Sequence, residues 1–337
     1  MIHFNSGIEI EGVDFAIDST RKRDFAFVSH AHADHCASHE KILATPETVI
    51  FFRKRFKRVR SHAIPLGRKT RVGDTEIELF SSGHILGAAQ LKLNYRGKSI
   101  VYTGDFKLRP SLTVPPVDIR KCDILIMETT YGRPEYKFPP WEKSVEMLIK
   151  FIKSAQASGL TPMIIAYSLG KAQEALKIIG DRGYEASLHK SVYDMTVLYQ
   201  KCGIKFGPFE MFNRDTYHGK ILIAPPGWRR NPEMKGLRRI RSCMLTGWSV
   251  GNIPRWAGAD ETVPLSDHAD YNDLIEYVEQ AEPSKVITIH GFKEFASDLR
   301  KRGFDAIYLE KGDTVCLDDS PSRFAPRKIT PTRDLFE

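Results

Sequence analysis

The most constraining feature of this chain is a short segment, His30-Ala31-His32-Ala33-Asp34-His35, that directly follows the strand-like run Phe25-Ala26-Phe27-Val28 and Ser29. It packs three imidazoles and one carboxylate into six positions. On an extended backbone alternate side chains share a face, so His30 and His32 can grip one cation from the same side. The turn that follows brings Asp34 and His35 round to a second cation. Imidazole nitrogens with a carboxylate form a donor set that suits Zn²⁺, with Mn²⁺ or Fe²⁺ as alternatives. A chance cluster of surface histidines is the bland reading, and this pattern after a strand is too demanding for it.

Three further positions add to the set. His84 lies in Ser81-Ser82-Gly83-His84-Ile85-Leu86-Gly87-Ala88, at the end of a strand-like run closing on Phe80. Asp105 follows another such run through Gly104, in Tyr102-Thr103-Gly104-Asp105-Phe106. His290 ends Val286-Ile287-Thr288-Ile289 and precedes Gly291. Alone, each reads as a structural histidine or a turn-forming aspartate. Together they place chemistry-bearing side chains at the ends of several strands.

The rest of the chain gives those strands a context. Residues 1–130 read as short strands separated by turns, and Ile124 to Met127 is a continuous apolar run suited to a strand buried on both faces. The character changes near Pro134. Val145, Leu148, Ile149 and Ile152 recur at helical spacing between Trp141 and Ala157, and strand–helix alternation continues through Ala224. This is an α/β pattern. A second α/β domain, 136–247, is expected to sit inside a first domain built from 1–135 and 248–337. With 337 residues and 42% hydrophobic content there is ample material for buried cores. No apolar run approaches the roughly 20 residues needed to span a bilayer, and Met1-Ile2-His3-Phe4 does not open a secretory signal. The five cysteines form no CxxC pair, which argues against a disulfide framework and a thiolate zinc knuckle. A reducing cytoplasm is the expected location, with no membrane association.

His30, His32, Asp34, His35, His84 and Asp105 resemble, in order and approximate spacing, the motifs of the metallo-β-lactamase fold. That resemblance implies an αββα sandwich with a binuclear centre at its strand ends. It implies one metal on His30, His32 and His84, a second on Asp34, His35 and His290, and Asp105 bridging them. Met127-Glu128-Thr129-Thr130-Tyr131-Gly132 resembles the E-[ST]-T-[YF]-G signature of the β-CASP nucleases, which carry an inserted α/β domain in that fold. Glu128 is then expected to hold His268, in Pro264-Leu265-Ser266-Asp267-His268-Ala269-Asp270, as the general acid. Asp34, Glu128 and His268 form the expected catalytic set. A carboxylate beside an imidazole favours its protonated form, which suits that role. Without the resemblance, Glu128 reads as a salt-bridged strand end and His268 as a helix-start histidine. The segment Tyr167-Ser168-Leu169-Gly170-Lys171-Ala172-Gln173-Glu174 also resembles the family's insert. Ser168, Gly170 and Lys171 are expected to meet phosphate at a helix start; an ordinary βα turn is the alternative. The stretches Thr246-Gly247-Trp248, Leu265 to Tyr271 and Ile289-His290-Gly291 are most similar to the bacterial DNA-ligase-associated exonucleases.

Charge points the same way. Fifty Lys and Arg against 42 Asp and Glu leave a formal net charge of +8, which favours polyanions. The run Arg53-Lys54-Arg55-Phe56-Lys57-Arg58-Val59-Arg60, and the pair Arg229-Arg230, read as phosphate-tracking clusters; solvated helix faces are the alternative. The expected activity is metal-dependent phosphodiester hydrolysis of nucleic acid by two divalent ions, zinc or manganese. A single-strand DNA exonuclease in DNA repair comes first. An RNA-processing endonuclease or 5′→3′ exoribonuclease is the alternative, and an inactive binding subunit ranks below both. A small-molecule hydrolase is disfavoured by the insert and the positive charge. A DNA ligase or helicase is the partner implied by family association.

Overall fold

Alternating burial builds the strands of the chain's first half. In the strand Thr75–Ser81, Thr75, Ile77 and Leu79 are buried while Glu76 and Glu78 stay half-buried. The buried faces of such strands form one solvent-shielded layer. A computed structural model describes residues 1–250 and 258–316, and two seven-stranded sheets and one six-stranded sheet carry its architecture. The first sheet runs in the order 313–315, 2–4, 8–10, 16–17, 25–27, 41–44, 60–63. The second runs 306–308, 285–291, 124–129, 98–102, 89–95, 75–81, 69–72. Ile2, Ile8, Phe27 and Leu43 of the first sheet pack against Leu79, Leu91, Ile126 and Ile287 of the second.

Six α-helices among the described residues complete the layers: α1 (Pro46–Arg55), α2 (Trp141–Ala157), α3 (Lys171–Gly180), α4 (Lys190–Lys201), α5 (Tyr271–Ala281) and α6 (Glu294–Lys301). α1 covers the outer face of the first sheet through Val49 and Phe52 on Val28 and Ile42. α5 and α6 cover the second through Leu274, Val278, Phe295 and Leu299 on Leu125 and Met127. The result is the expected αββα sandwich. The strand Ile124–Thr129 is buried at every position and pairs in parallel on both sides, which explains its unbroken apolar run.

The third sheet is parallel throughout, in the order 209–211, 186–188, 221–224, 161–165, 240–245, 261–263. α2, α3 and α4 bury Leu148, Ile152, Leu176, Ile179 and Val192 against one face. Its last strand, Glu261–Val263, pairs with Cys243–Leu245, so this sheet runs past residue 247. Three residues carry too little periodicity to announce such a strand. Residues 251–257 and 317–337, part of the expected 248–337 segment, lie outside the described residues. No helix among the described residues is long and apolar enough to cross a membrane.

The third sheet's helices dock firmly on the sandwich. Phe51 and Leu86 meet Tyr199, with Leu169, Met195 and Leu198 packed around them. The Tyr199 hydroxyl accepts from the Leu86 amide at 3.2 Å. Glu174 of α3 is buried and accepts from the Ser111 hydroxyl at 2.7 Å, the Leu112 amide at 3.0 Å and the Thr113 hydroxyl at 2.8 Å. These hydrogen bonds offset the cost of desolvating the carboxylate, and losing its donors would leave a buried charge unpaired.

Candidate metal centre

Strand ends deliver the candidate residues to one place. His30 and His32 follow the strand 25–27, His84 the strand 75–81 and Asp105 the strand 98–102, while Glu128 lies within 124–129 and His290 within 285–291. Asp270 sets the position of His268. Its carboxylate caps α5 by accepting from the amides of Asn272 at 2.8 Å and Asp273 at 2.9 Å. The same carboxylate accepts from the Phe138 amide and from Arg109, so the turn carrying His268 is held from two sides.

Three imidazole nitrogens converge. His32 Nδ1 is 3.1 Å from His30 Nε2 and 3.2 Å from His84 Nε2. A tetrahedral ion with Zn–N of about 2.0–2.1 Å places its ligands roughly 3.3–3.4 Å apart, so this triangle has the size of a ligand face. Asp105 Oδ2 lies 3.5 Å from His30 Nε2, 3.7 Å from His84 Nε2, 3.3 Å from His35 Nε2 and 4.0 Å from His268 Nε2. It therefore faces both expected positions at once, and the donor chemistry fits a divalent cation.

The outer nitrogens are all engaged, which fixes the tautomer that points inward. His32 Nε2 donates to the Leu169 carbonyl at 3.0 Å and His84 Nδ1 to the Asp267 carbonyl at 2.8 Å. His30 Nδ1 contacts the Ser29 hydroxyl at 3.0 Å, and that hydroxyl donates to Asp18. His35 Nδ1 donates to Asp18 Oδ2 at 2.8 Å. His268 Nδ1 bridges both Glu128 oxygens at 2.9 and 3.1 Å, while Glu128 also accepts from the Phe106 amide and the Thr130 hydroxyl.

Proton affinities divide the histidines into two groups. Burial holds the pKa of His30 and His84 well below the ordinary value, helped for His30 by His35 and for His84 by His268. Burial also lowers His32, and it lowers His290 together with the charge of His35. These rings present lone pairs. His35 and His268 go the other way. Burial opposes their charge, but Asp105 and Asp18 lift His35 well above the usual range. Glu128 and Asp105 likewise raise His268 to about 9 against its burial. Asp105 resists burial through the charges of His35 and His268, which hold it well below the carboxylate range.

The second expected position is looser. Asp34 sits in a 3₁₀ turn, its side chain 80% exposed, with Oδ2 4.0 Å from His35 Nε2. The His290 ring lies 5.9 Å from the His35 ring and packs edge-on to Phe4. His290 takes a left-handed φ of 48°, uncommon for a residue with a side chain. Gly291 follows with φ 148°, where a Cβ would meet the Thr129 carbonyl oxygen at 1.9 Å. Only glycine fits that close approach.

Sequence reasoning missed Asp18 and Tyr102. Asp18 is buried with φ 44° and gathers the Ser29 amide, the Ser29 hydroxyl, His35 and the Tyr102 hydroxyl. A lone carboxylate after the apolar run Phe15-Ala16-Ile17 was the available signal. The Leu169 and Asp267 carbonyls carried no signal, because any residue supplies one.

The expected phosphate contacts fare unevenly. The Gly170 amide, expected to stand open at a helix start, donates to the Gln173 side chain at 2.8 Å, and Gly170 is buried. That capping interaction competes with an external anion for the same N–H. Lys171 is only 5% exposed and pairs with Asp267 at 3.7 Å. The Ser168 hydroxyl contacts Ser191 at 2.7 Å. Arg53 and Arg55 are exposed at the end of α1; Arg55 reaches the Cys36 sulfur at 3.9 Å, and that thiol donates to the His32 carbonyl. Arg229 stacks on Trp228 at 4.8 Å, and Arg230 beside it is exposed. No contact among the described residues joins that pair to the histidine cluster.

This fold and cluster define a class, the metallo-hydrolases that gather histidine and aspartate ligands at strand ends. The family model of the Zn-dependent metallo-hydrolase RNA specificity domain matches residues 259–311. A protein of Opitutus terrae named a probable DNA ligase is 37% identical over 98% of this chain and 33% of its own length. A probable RNase, MJ4, of Methanocaldococcus jannaschii is 27% identical over 88% of this chain and 89% of its own. The mouse DNA cross-link repair 1A protein is 23% identical over 90% of this chain and 32% of its own. The chain thus spans about a third of the first of these relatives. It belongs to the β-CASP branch of the metallo-β-lactamase-fold family.

Proposed function

We propose that this protein is a nuclease that hydrolyses phosphodiester bonds with two divalent ions, zinc first and manganese as the alternative. Single-stranded DNA, attacked from an end, is the preferred substrate. The observation that carries this reading is the triangle of His30, His32 and His84 nitrogens facing Asp105, with His268 across the same carboxylate. In this reading His30, His32 and His84 hold one ion, Asp34, His35 and His290 a second, and Asp105 both. Such ions, when bound, lower the pKa of water toward about 7 and polarise a phosphoryl oxygen. The chain's own residues supply the remainder. Glu128 keeps the His268 Nδ1–H oriented, which leaves the Nε2 proton facing the centre for the departing oxygen. Ser168, with Arg53, Arg55, Arg229 and Arg230, would track the strand's phosphates, while the buried Lys171, paired with Asp267, adds positive charge nearby.

The DNA reading draws on the match of nearly the whole chain to a protein named a DNA ligase and on the cross-link repair relative. The same match supports a DNA ligase as a partner; a helicase rests on the family resemblance alone. RNA is the second reading, supported by the RNA specificity domain match and by an RNase relative of similar length. We treat residues 136–247 as an inserted unit whose sheet extends to Val263, with the sandwich resuming at Pro264. Digestion of 5′- and 3′-labelled single-stranded DNA and RNA, with Mn²⁺ or Zn²⁺ added, tests the proposal. Faster loss of DNA from one end is expected. Preferential cleavage of RNA would move the assignment to the second reading, and no cleavage of either would end it.

A further inference from the structure

Aromatic side chains crowd the His268 side of the centre, and all but one are used by their neighbours. Tyr131 packs on Tyr136, Phe138 and Trp248 at centroid distances of 5.5, 4.9 and 4.7 Å, and it lies 6.1 Å from the His268 ring. Tyr136 stacks on Phe292. Tyr167 differs. It is 58% exposed, the most exposed of the large apolar and aromatic side chains among the described residues, and no ring packs on it there. Its own segment is nevertheless pinned to the centre. Two residues on, the Leu169 carbonyl holds His32, and Lys171 pairs with Asp267, the neighbour of His268. The Lys171 ammonium lies 5.3 Å from the Tyr167 ring centroid.

An aromatic ring exposed beside a charged site forgoes burial and leaves one face free for a ligand. A ring held next to a cation suits a base-stacking platform: the exposed face takes the base, and the nearby positive charge favours a polyanionic strand. We propose that Tyr167 stacks an unpaired base of the substrate beside the scissile phosphate and thereby selects single strands. A base inside a duplex has both faces covered and offers the ring nothing. This inference rests on the nuclease reading above and adds the feature of the substrate that is recognised.

The test measures binding and hydrolysis by Tyr167→Ala, Tyr167→Phe and the parent protein on three probes: a single-stranded oligonucleotide, its duplex, and the same strand with abasic positions stepped along it. Metal content is measured alongside. Tyr167→Ala should weaken single-strand affinity about five- to a hundred-fold, the range expected for loss of one stacked base, with metal content unchanged. Tyr167→Phe should stay within about twofold, since it keeps the stacking face. At one abasic position the parent should bind as weakly as Tyr167→Ala. Equal affinity of parent and Tyr167→Ala would overturn the inference, and so would a loss of the same size on duplex and on every abasic strand. If the parent neither binds nor cleaves nucleic acid, the nuclease reading fails and this inference falls with it. If the parent cleaves while Tyr167→Ala is indistinguishable from it, only this inference fails.

Discussion

The two halves of the centre are built differently. On the His30, His32 and His84 side every ring is at least mostly buried, the inward nitrogens already lie 3.1–3.2 Å apart, and the outer nitrogens are held by the protein. On the His35 side the histidine is buried and anchored, but Asp34 stands in solvent and His290 depends on a left-handed turn. Preorganised donors lose little freedom when they bind, whereas exposed ones must be ordered. The first position should therefore fill tightly and the second more weakly. Chelator titration of the metal-loaded protein should release ions in two resolved steps; simultaneous loss of both would contradict the comparison.

Removing a ring from the tighter half should have the largest effect. His84→Ala is expected to abolish metal retention at the first position and reduce hydrolysis at least about a thousandfold, because the proposed two-metal chemistry would lose an ion. Retention of full metal content by mass spectrometry would contradict the ligand assignment. His268→Ala comes next. Metal content should persist while hydrolysis falls about a hundred- to ten-thousandfold. A rate within about threefold of the parent, less than roughly 0.7 kcal/mol in barrier, would remove the general acid.

Asp18→Asn sharpens the contrast between the halves. It weakens the acceptor that orients His35, so affinity at the second position should fall about ten- to a hundredfold while the first is nearly unchanged. Equal weakening of both would mean that Asp18 supports the whole sandwich end rather than one ring. Asp34→Asn should be smaller still at the first position and confined to the second, read by the number of ions retained at limiting metal. The smallest effect belongs to the docking surface. Tyr199→Phe removes one hydroxyl that accepts from the Leu86 amide, and denaturant unfolding should register about 1–2 kcal/mol, the cost of an unsatisfied buried donor.

The candidate residues were legible because their spacing is local. His30, His32, Asp34 and His35 fall within one turn of chain, and His84, Asp105 and His290 each follow a recognisable strand beside a glycine. What orients them was not legible. The Leu169 carbonyl reaches His32 across 137 residues and the Asp267 carbonyl reaches His84 across 183. Backbone carbonyls carry no residue identity, so no motif marks them. The Gly170 amide shows the same lesson in reverse. A glycine before a helix suggests an open anion site, but Gln173 had already claimed the amide.

Side-chain chemistry and strand periodicity thus suggested by themselves which groups could gather at sheet ends, and the family resemblance supplied the expected ligand set. Tertiary structure decided which nitrogen each ring turns inward, that Asp105 lies among His30, His35, His84 and His268, and that Tyr167 remains exposed beside Lys171. The reason is physical. Donor type and periodicity are properties of neighbouring residues, whereas tautomer, proximity and exposure are set by atoms that meet only after distant segments have packed.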